Sequence, residues 1–330
     1  MVHNADKWAA SRRDTLIIVG NGLTLEFRTY AGSALEGLNP SSPLGWDVRA
    51  PGRPTEKLMD VLPQLKQEID EIRRLHRSST DFAVVDQIVK RLGPAYMDSY
   101  ADILLDSELR HYLALAYATF QIAANKVNLS EWRWHKYFRA NAYRFIGACS
   151  FNYDTVLERS WKEVGIGATR ICLENEEGSV PIAKPHGSMD FDDRHGIALQ
   201  RGYPLRNATA LNNISPLYSL RESELLSPRG HVELVPPARA SQITEFSWVA
   251  DGYKWIKQVA PSIRRCIFIG LSYWPVDKPE LDTIFHSLRS DTQIVVANPS
   301  PHACVSAARR HGYIPEIWRD GPEDSASRKA

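Results

Sequence analysis

An α/β fold is predicted: a Rossmann-like, mostly parallel sheet with helices on both faces and an inserted α-helical subdomain. Three features of the sequence carry the prediction. Short runs of apolar, β-branched residues alternate with helical patterns over most of the chain, as βα units do. The runs are apolar at successive positions instead of every second one, which marks strands covered on both faces. One long intervening stretch shows only helical periodicity.

Thr15 to Val19 (TLIIV) is the first strand, and it stops at Gly20-Asn21-Gly22-Leu23-Thr24 as a buried strand does on entering a tight turn. Residues 39–55 are rich in Pro, Gly and Ser and read as an irregular surface connection. From Glu56 to about Asn141 the pattern is helical. Leu58, Leu62, Leu65, Ile69, Ile72 and Leu75 recur at three- and four-residue spacing, and 81–92 and 102–127 behave alike. The α/β pattern then resumes, with strands expected at 144–150, 181–184, 232–235, 266–270 and 293–297. Helices are expected at 155–164, 251–259, 279–288 and 301–311. The tail from Asp320 to Ala330 is polar and aperiodic.

Composition narrows the function classes. With 330 residues, 43% apolar and 24% charged, the chain can bury a sizeable core, which excludes fibrous and disordered classes. Forty Lys and Arg against 39 Asp and Glu leave a net charge of +1, so no whole-molecule field draws nucleic acid or an anionic membrane. Direct nucleic-acid binding is not expected. No apolar stretch approaches the roughly 20 residues of a membrane helix, and residues 1–14 lack a signal peptide's apolar region. A cytoplasmic protein is expected. Its four cysteines stand singly, so reduced, mostly buried thiols are expected in place of a zinc knuckle or a disulfide framework.

In an open α/β sheet, ligands bind outside the carboxyl ends of the strands, so the informative residues follow each apolar run. Glycines at 20 and 22 would let a phosphate approach the backbone N–H groups of a strand-to-helix turn; the alternative is a tight turn alone. Leu25 stands where a full GxGxxG would have its third glycine. Asn152 and Asp154 precede a helix, so they could cap it or hold a ribose hydroxyl, an amide or a water. His186, between Pro185 and Gly187, continues no amphipathic pattern and is the best candidate for a base, with Gly187 leaving room for substrate; the plain alternative is a loop histidine bonded to backbone. Gly270-Leu271-Ser272 and Asn298 follow later strands. The acidic run Asp190, Asp192, Asp193 with His195 shows no defined ligand spacing, and no metal site is expected. Trp132, Arg133, Trp134, His135 and Lys136 fit a helix with one aromatic face.

The order of these motifs resembles the sirtuin family, specifically its bacterial branch that hydrolyses NAD in anti-phage defence. The resemblance spans roughly Leu16 to Ala308 apart from the insert, and rests most on Phe151-Asn152-Tyr153-Asp154 and Lys184-Pro185-His186-Gly187-Ser188. It implies one catalytic domain over residues 1–330, with the α-helical insert at about 56–141. It also implies that Gly20, Asn21, Gly22 and Thr24 bind the NAD pyrophosphate region, and that Asn152 and Asp154 address the nicotinamide ribose and carboxamide. His186 would be the catalytic histidine, Gly270 and Ser272 would line phosphates and ribose, and Asn298 would meet the adenosine ribose. Asp277 stands where such defence proteins often carry an aspartate, without an assigned role. Deacylating sirtuins carry two CxxC pairs after the His-Gly motif, and this chain has none.

The expected activity is therefore NAD+ hydrolysis to nicotinamide and ADP-ribose, with NAD as substrate and no metal, and with Asn152 and His186 as the catalytic pair. The alternatives are a non-catalytic NAD- or ADP-ribose-sensing subunit and a zinc-independent ADP-ribosyl transferase or deacylase. A homo-oligomer is expected, gated by assembly or by a partner such as an ATPase or other phage sensor, with the helical insert as the contact surface.

Overall fold

Strand β1 (Thr15–Val19) leads into helix α1 (Asn21–Ala31). A short hairpin, β2 (Arg49–Ala50) and β3 (Arg53–Lys57), precedes the helices α2 (Pro63–Leu75), α3 (Asp81–Leu92), α4 (Tyr100–Ala124) and α5 (Arg133–Asn141). Next come β4 (Phe145–Ser150), α6 (Val156–Glu163), β5 (Ala168–Arg170) and β6 (Val180–Ala183), then a small antiparallel pair, β7 (Phe191–Asp192) and β8 (Tyr218–Ser219). The chain continues through α7 (Ser247–Val259), β9 (Arg265–Ile269), α8 (Lys278–Ser287), β10 (Gln293–Ala297), α9 (His302–Arg310) and β11 (Glu316–Trp318). This computed structural model describes residues 13–77, 79–92, 99–173, 176–192, 205, 217–229, 232–236, 246–275 and 277–322.

Seven strands form one sheet in the order β11-β10-β9-β1-β4-β6-β5, and every pairing in it is parallel. From β1 the chain steps outward to β4 and on to β5 at the edge, returns to β6 between the two, then crosses back to β9 on the other side of β1. The reversal between β1 and β9 is the switch point of a Rossmann-like sheet.

Alternation along each strand sorts the core into two layers. Ile17, Val19, Ile267 and Val295 face a layer with Phe27 of α1, Trp134 and Phe138 of α5 and Trp161 of α6. Leu16, Ile18, Phe268 and Val296 face the other, with Ile256 of α7, Ile284 of α8 and Ala308 of α9. Helices α2, α3 and α4 join the first layer through Leu65, Ile69, Val84, Ile88, Leu109 and Leu113. Trp132 and Trp134 are buried, as an aromatic helix face requires.

Three local expectations need correction. Residues 39–55 are not wholly irregular, because Pro51 and Gly52, the latter at φ 74°, turn the hairpin of β2 and β3. Residues 232–235 do not enter the sheet. Leu234 instead bridges Gly187, and Val235 N–H donates to His186 O at 3.0 Å. Strands β5 and β11 extend the two edges and were not foreseen, each being only three residues long. Of the acidic run, Asp190 is buried in an ion pair with Arg170, while Asp193 and His195 lie outside the described residues. Among the described residues no helix is long and apolar enough to cross a membrane. Cys149, Cys266 and Cys304 are buried, and all four cysteines are free thiols.

Candidate active site

Register sets the strand ends level. Val19 pairs with Ser150 of β4 and Ile269 of β9, and Ile269 with Ala297 of β10. Each next residue extends the ladder by one bond: Phe151 N–H donates to Val19 O, Gly20 to Ile269 O and Gly270 to Ala297 O, all at 2.9 Å. The residues just past the strands therefore stand side by side along one sheet edge, and they line a cavity of about 660 Å³ there. Of the residues expected at the site, Gly20, Asn21, Gly22, Asn152, Asp154, His186, Gly270, Ser272 and Asn298 all border it.

At the switch point the glycines serve packing first. Gly22 N–H donates to Gly270 O at 2.9 Å, and no side chain would fit between the two backbones. The N–H groups of Gly20 and Gly22, expected to face a phosphate, are given to Ile269 O at the end of β9 and to Gly270 O just past it. What remains toward the cavity is the N-terminal end of α1, whose dipole favours negative charge. Asn21 turns its amide to Pro40 O at 3.2 Å.

Beside this turn, Asn152 Nδ2 donates to Thr24 Oγ1 at 3.0 Å, and Thr24 Oγ1 donates to Asp154 Oδ2 at 2.6 Å. Thr24 is fully buried and does not border the cavity; its hydroxyl links the two residues that do. Asp154 Oδ1 accepts from Val156 N–H at 3.0 Å, so it takes up the first N–H of α6 from one position before the cap residue Thr155. Lys184, just after β6, donates to Asp154 O and Glu158 Oε1, both at 2.8 Å, and so braces the loop from beneath.

His186 is buried, with the Phe151 ring edge-on to it at 5.1 Å. Its Nε2–H donates to Glu280 Oε2 at 2.9 Å, and Glu280 Oε1 accepts from Tyr253 OH at 2.6 Å. Burial works against a charge on the ring, but the Glu280 carboxylate outweighs it and holds the His186 pKa above its ordinary 6.5. Asp277 borders the cavity beside them. Burial pushes its carboxyl up to about 6, with the His186 charge opposing and Glu280 adding to the rise. Donor atoms of His186, Asp277 and Glu280 lie within 4.8 Å of one another, the spacing of a metal cluster, but an ion would have to break the His186–Glu280 hydrogen bond. Gly187 does not leave room for substrate: at φ 72°, a Cβ there would meet Glu233 O at 2.2 Å.

The far end of the cavity is more polar. Glu26 of α1 accepts from Arg133 Nε at 2.6 Å and from the Trp134 indole, and Ser300 and Arg319 stand nearby along the wall. Asn298 has both ends of its amide engaged, donating to Leu271 O and accepting from Ser300 N–H at 2.8 Å each, so it ties two loops together. At the rim Phe82 of α3 meets Trp274 edge to face, with ring centres 6.2 Å apart. Sequence reasoning missed Glu280 and Tyr253 altogether. Both lie on helices, and nothing local distinguishes a glutamate in the first turn of α8 from a favourable helix charge.

Among solved structures the chain is similar to a Sir2 homologue in complex with NAD, at 10% identity and a TM-score of 0.32, over 99% of this chain and 92% of that one. No family model matches the chain, and no curated protein does.

Proposed function

We propose that the chain hydrolyses NAD+, releasing nicotinamide and ADP-ribose. The observation that carries this reading is the cavity at the carboxyl edge. Its 660 Å³ fall within the roughly 300–1,000 Å³ of small-molecule sites, and it runs from the Asn152, His186 and Asp277 end past the start of α1 to the polar wall near Ser300 and Arg319. A dinucleotide has the same order of parts: a reacting ring, a pyrophosphate and an adenosine.

The chemistry asks little of such a site. Breaking the bond between nicotinamide and ribose passes through an oxocarbenium-like state, and the pyridinium leaves as a neutral base, so no strong acid is needed. The wall must orient the ribose, admit one water and take one proton. Asn152, held by Thr24, suits the first task, and the cluster around His186 and Asp277 suits the last. The resemblance of the motifs to the NAD-hydrolysing branch of the sirtuins supports the same reading. By that resemblance the protein is a cytoplasmic effector of anti-phage defence, assembled as a homo-oligomer and gated by assembly or by a partner such as an ATPase on the helices between β3 and β4.

The test is to incubate the purified chain with NAD+, alone and with the product of its genomic neighbour, and to follow nicotinamide and ADP-ribose. Wild type should release both, and Asn152→Ala and His186→Ala should not. NAD+ bound without release under any condition would leave a sensing subunit in place of a hydrolase. Nicotinamide release with ADP-ribose attached to protein would make it a transferase.

A further inference from the structure

We propose that Asp277 takes the proton from the attacking water, while Glu280 and Tyr253 fix His186 beside it as a charged group that transfers none. This rests on the NAD+-hydrolase reading and assigns its proton acceptor.

The geometry favours Asp277 over the histidine. His186 Nε2–H is occupied by Glu280 at 2.9 Å, and a backbone hydrogen bond at Phe151 also favours the charged ring. A charged imidazole carries a proton on both nitrogens and has no lone pair with which to accept another. Glu280 is itself locked, fully buried and bound by the Tyr253 hydroxyl at 2.6 Å. Asp277 borders the cavity as His186 does, but it alone of the three is not fully buried, and its side chain does not cap α8. The groups that face it are His186 from the loop after β6, Glu280 on α8, Tyr253 on α7 and Tyr153 after β4. Neighbouring Lys278 is paired with Asp282 at 2.8 Å.

The step balances as follows. Water oxygen bonds to C1′ of the nicotinamide ribose, and the C1′–N bond breaks with its electron pair going to the pyridinium nitrogen. The water proton passes to the Asp277 carboxylate and from there to solvent. The His186 and Glu280 charges cancel as a pair, which leaves the Asp277 charge to face the developing oxocarbenium ion.

The experiment reads nicotinamide release against pH, NAD+ affinity by calorimetry, and the ¹⁵N-histidine NMR titration of His186, in wild type, Asp277→Asn, Asp277→Ala, Glu280→Gln and Tyr253→Phe. Asp277→Asn should bind NAD+ within a few-fold of wild type, release nicotinamide about 10²–10⁴ times more slowly and lose the acid limb that wild type shows near pH 6. Added formate should restore part of the rate of Asp277→Ala. His186 should titrate above 6.5 in wild type and lower in Glu280→Gln, with Tyr253→Phe in between. An active wild type with an unimpaired Asp277→Asn overturns this assignment alone. So does a wild-type His186 titrating at or below 6.5. A wild type that binds NAD+ and releases nothing removes the hydrolase reading, and the proton transfer with it.

Discussion

Gly22 and Gly270 meet backbone to backbone: a Cβ added to Gly22 would stand 2.4 Å from the Gly270 Cα, and one added to Gly270 would stand 2.5 Å from the Gly22 Cα. The contact seats the first turn of α1 against the exit of β9, at the point where the winding of the sheet reverses. Gly270 also has φ 63°, where an L side chain is strained. Gly270→Ala should therefore lose about 1–3 kcal/mol of stability in urea unfolding and weaken NAD+ binding. Gly45→Ala, with nothing within 4 Å, should stay within about 0.5 kcal/mol of wild type. Equal midpoints for the two variants would refute the packing account.

Thr24 acts on the site without reaching it. Thr24→Val keeps the shape but removes the acceptor of Asn152 Nδ2 and the donor to Asp154 Oδ2, which should cost about 1–3 kcal/mol. With Asn152 unheld, nicotinamide release should fall more than NAD+ affinity does, and Thr24→Ser should restore it. A Thr24→Val protein with wild-type turnover would mean that the hydroxyl does not position Asn152.

Asp190 makes stability depend on acid. Burial alone would raise its pKa, but Arg170, bound to both carboxylate oxygens at 2.7 and 2.8 Å, together with the Ser188 and Ser219 hydroxyls outweighs burial and brings it down to about 2. A carboxylate lowered on folding adds stability that is full above its unfolded value of 3.8 and is lost as pH falls toward 2. The contribution at neutral pH is about 2 kcal/mol. Asp190→Asn should flatten the stability curve over that acid window. At pH 7 it should cost about 3–5 kcal/mol, because Arg170 remains buried with less of its charge met. Parallel curves for wild type and variant would contradict this.

The aromatic contact at the rim should govern entry more than chemistry. Trp274→Ala removes the partner of Phe82 and should raise KM for NAD+ several-fold while kcat changes by less than about twofold. A collapse of kcat at constant KM would place Trp274 in the reaction itself.

Much of the site was legible because the sheet is parallel and in register. Residues that follow buried strands converge on one edge, so GNG after β1, FNYD after β4, KPHGS after β6 and GLS after β9 could be placed together before any coordinates. The two short edge strands were not legible, since three residues carry too little periodicity to separate from a loop. Nor was the partner of His186. Glu280 lies 94 positions away, and only the packing of α7 and α8 against one face of the sheet brings it to the ring. Of the two readings of the glycine turn, close packing holds for Gly22, and Gly187, expected to leave room for substrate, is instead required by a neighbouring backbone.

The first apolar layer has a mechanical consequence. Helices α2, α3 and α4 have their buried side chains in the same close-packed cluster as Ile17 and Val19 of the central strand. Excising them would open that shared cluster to water while α1, α5 and α6 still covered the sheet, so truncation would report on lost packing and not on loss of a separate module. Interiors packed this tightly transmit displacement with little give. A partner seated on the outer surface of α2 or α3 would thus act like weight on a keystone, its load passing through one packed cluster toward β1 and the cavity above its end.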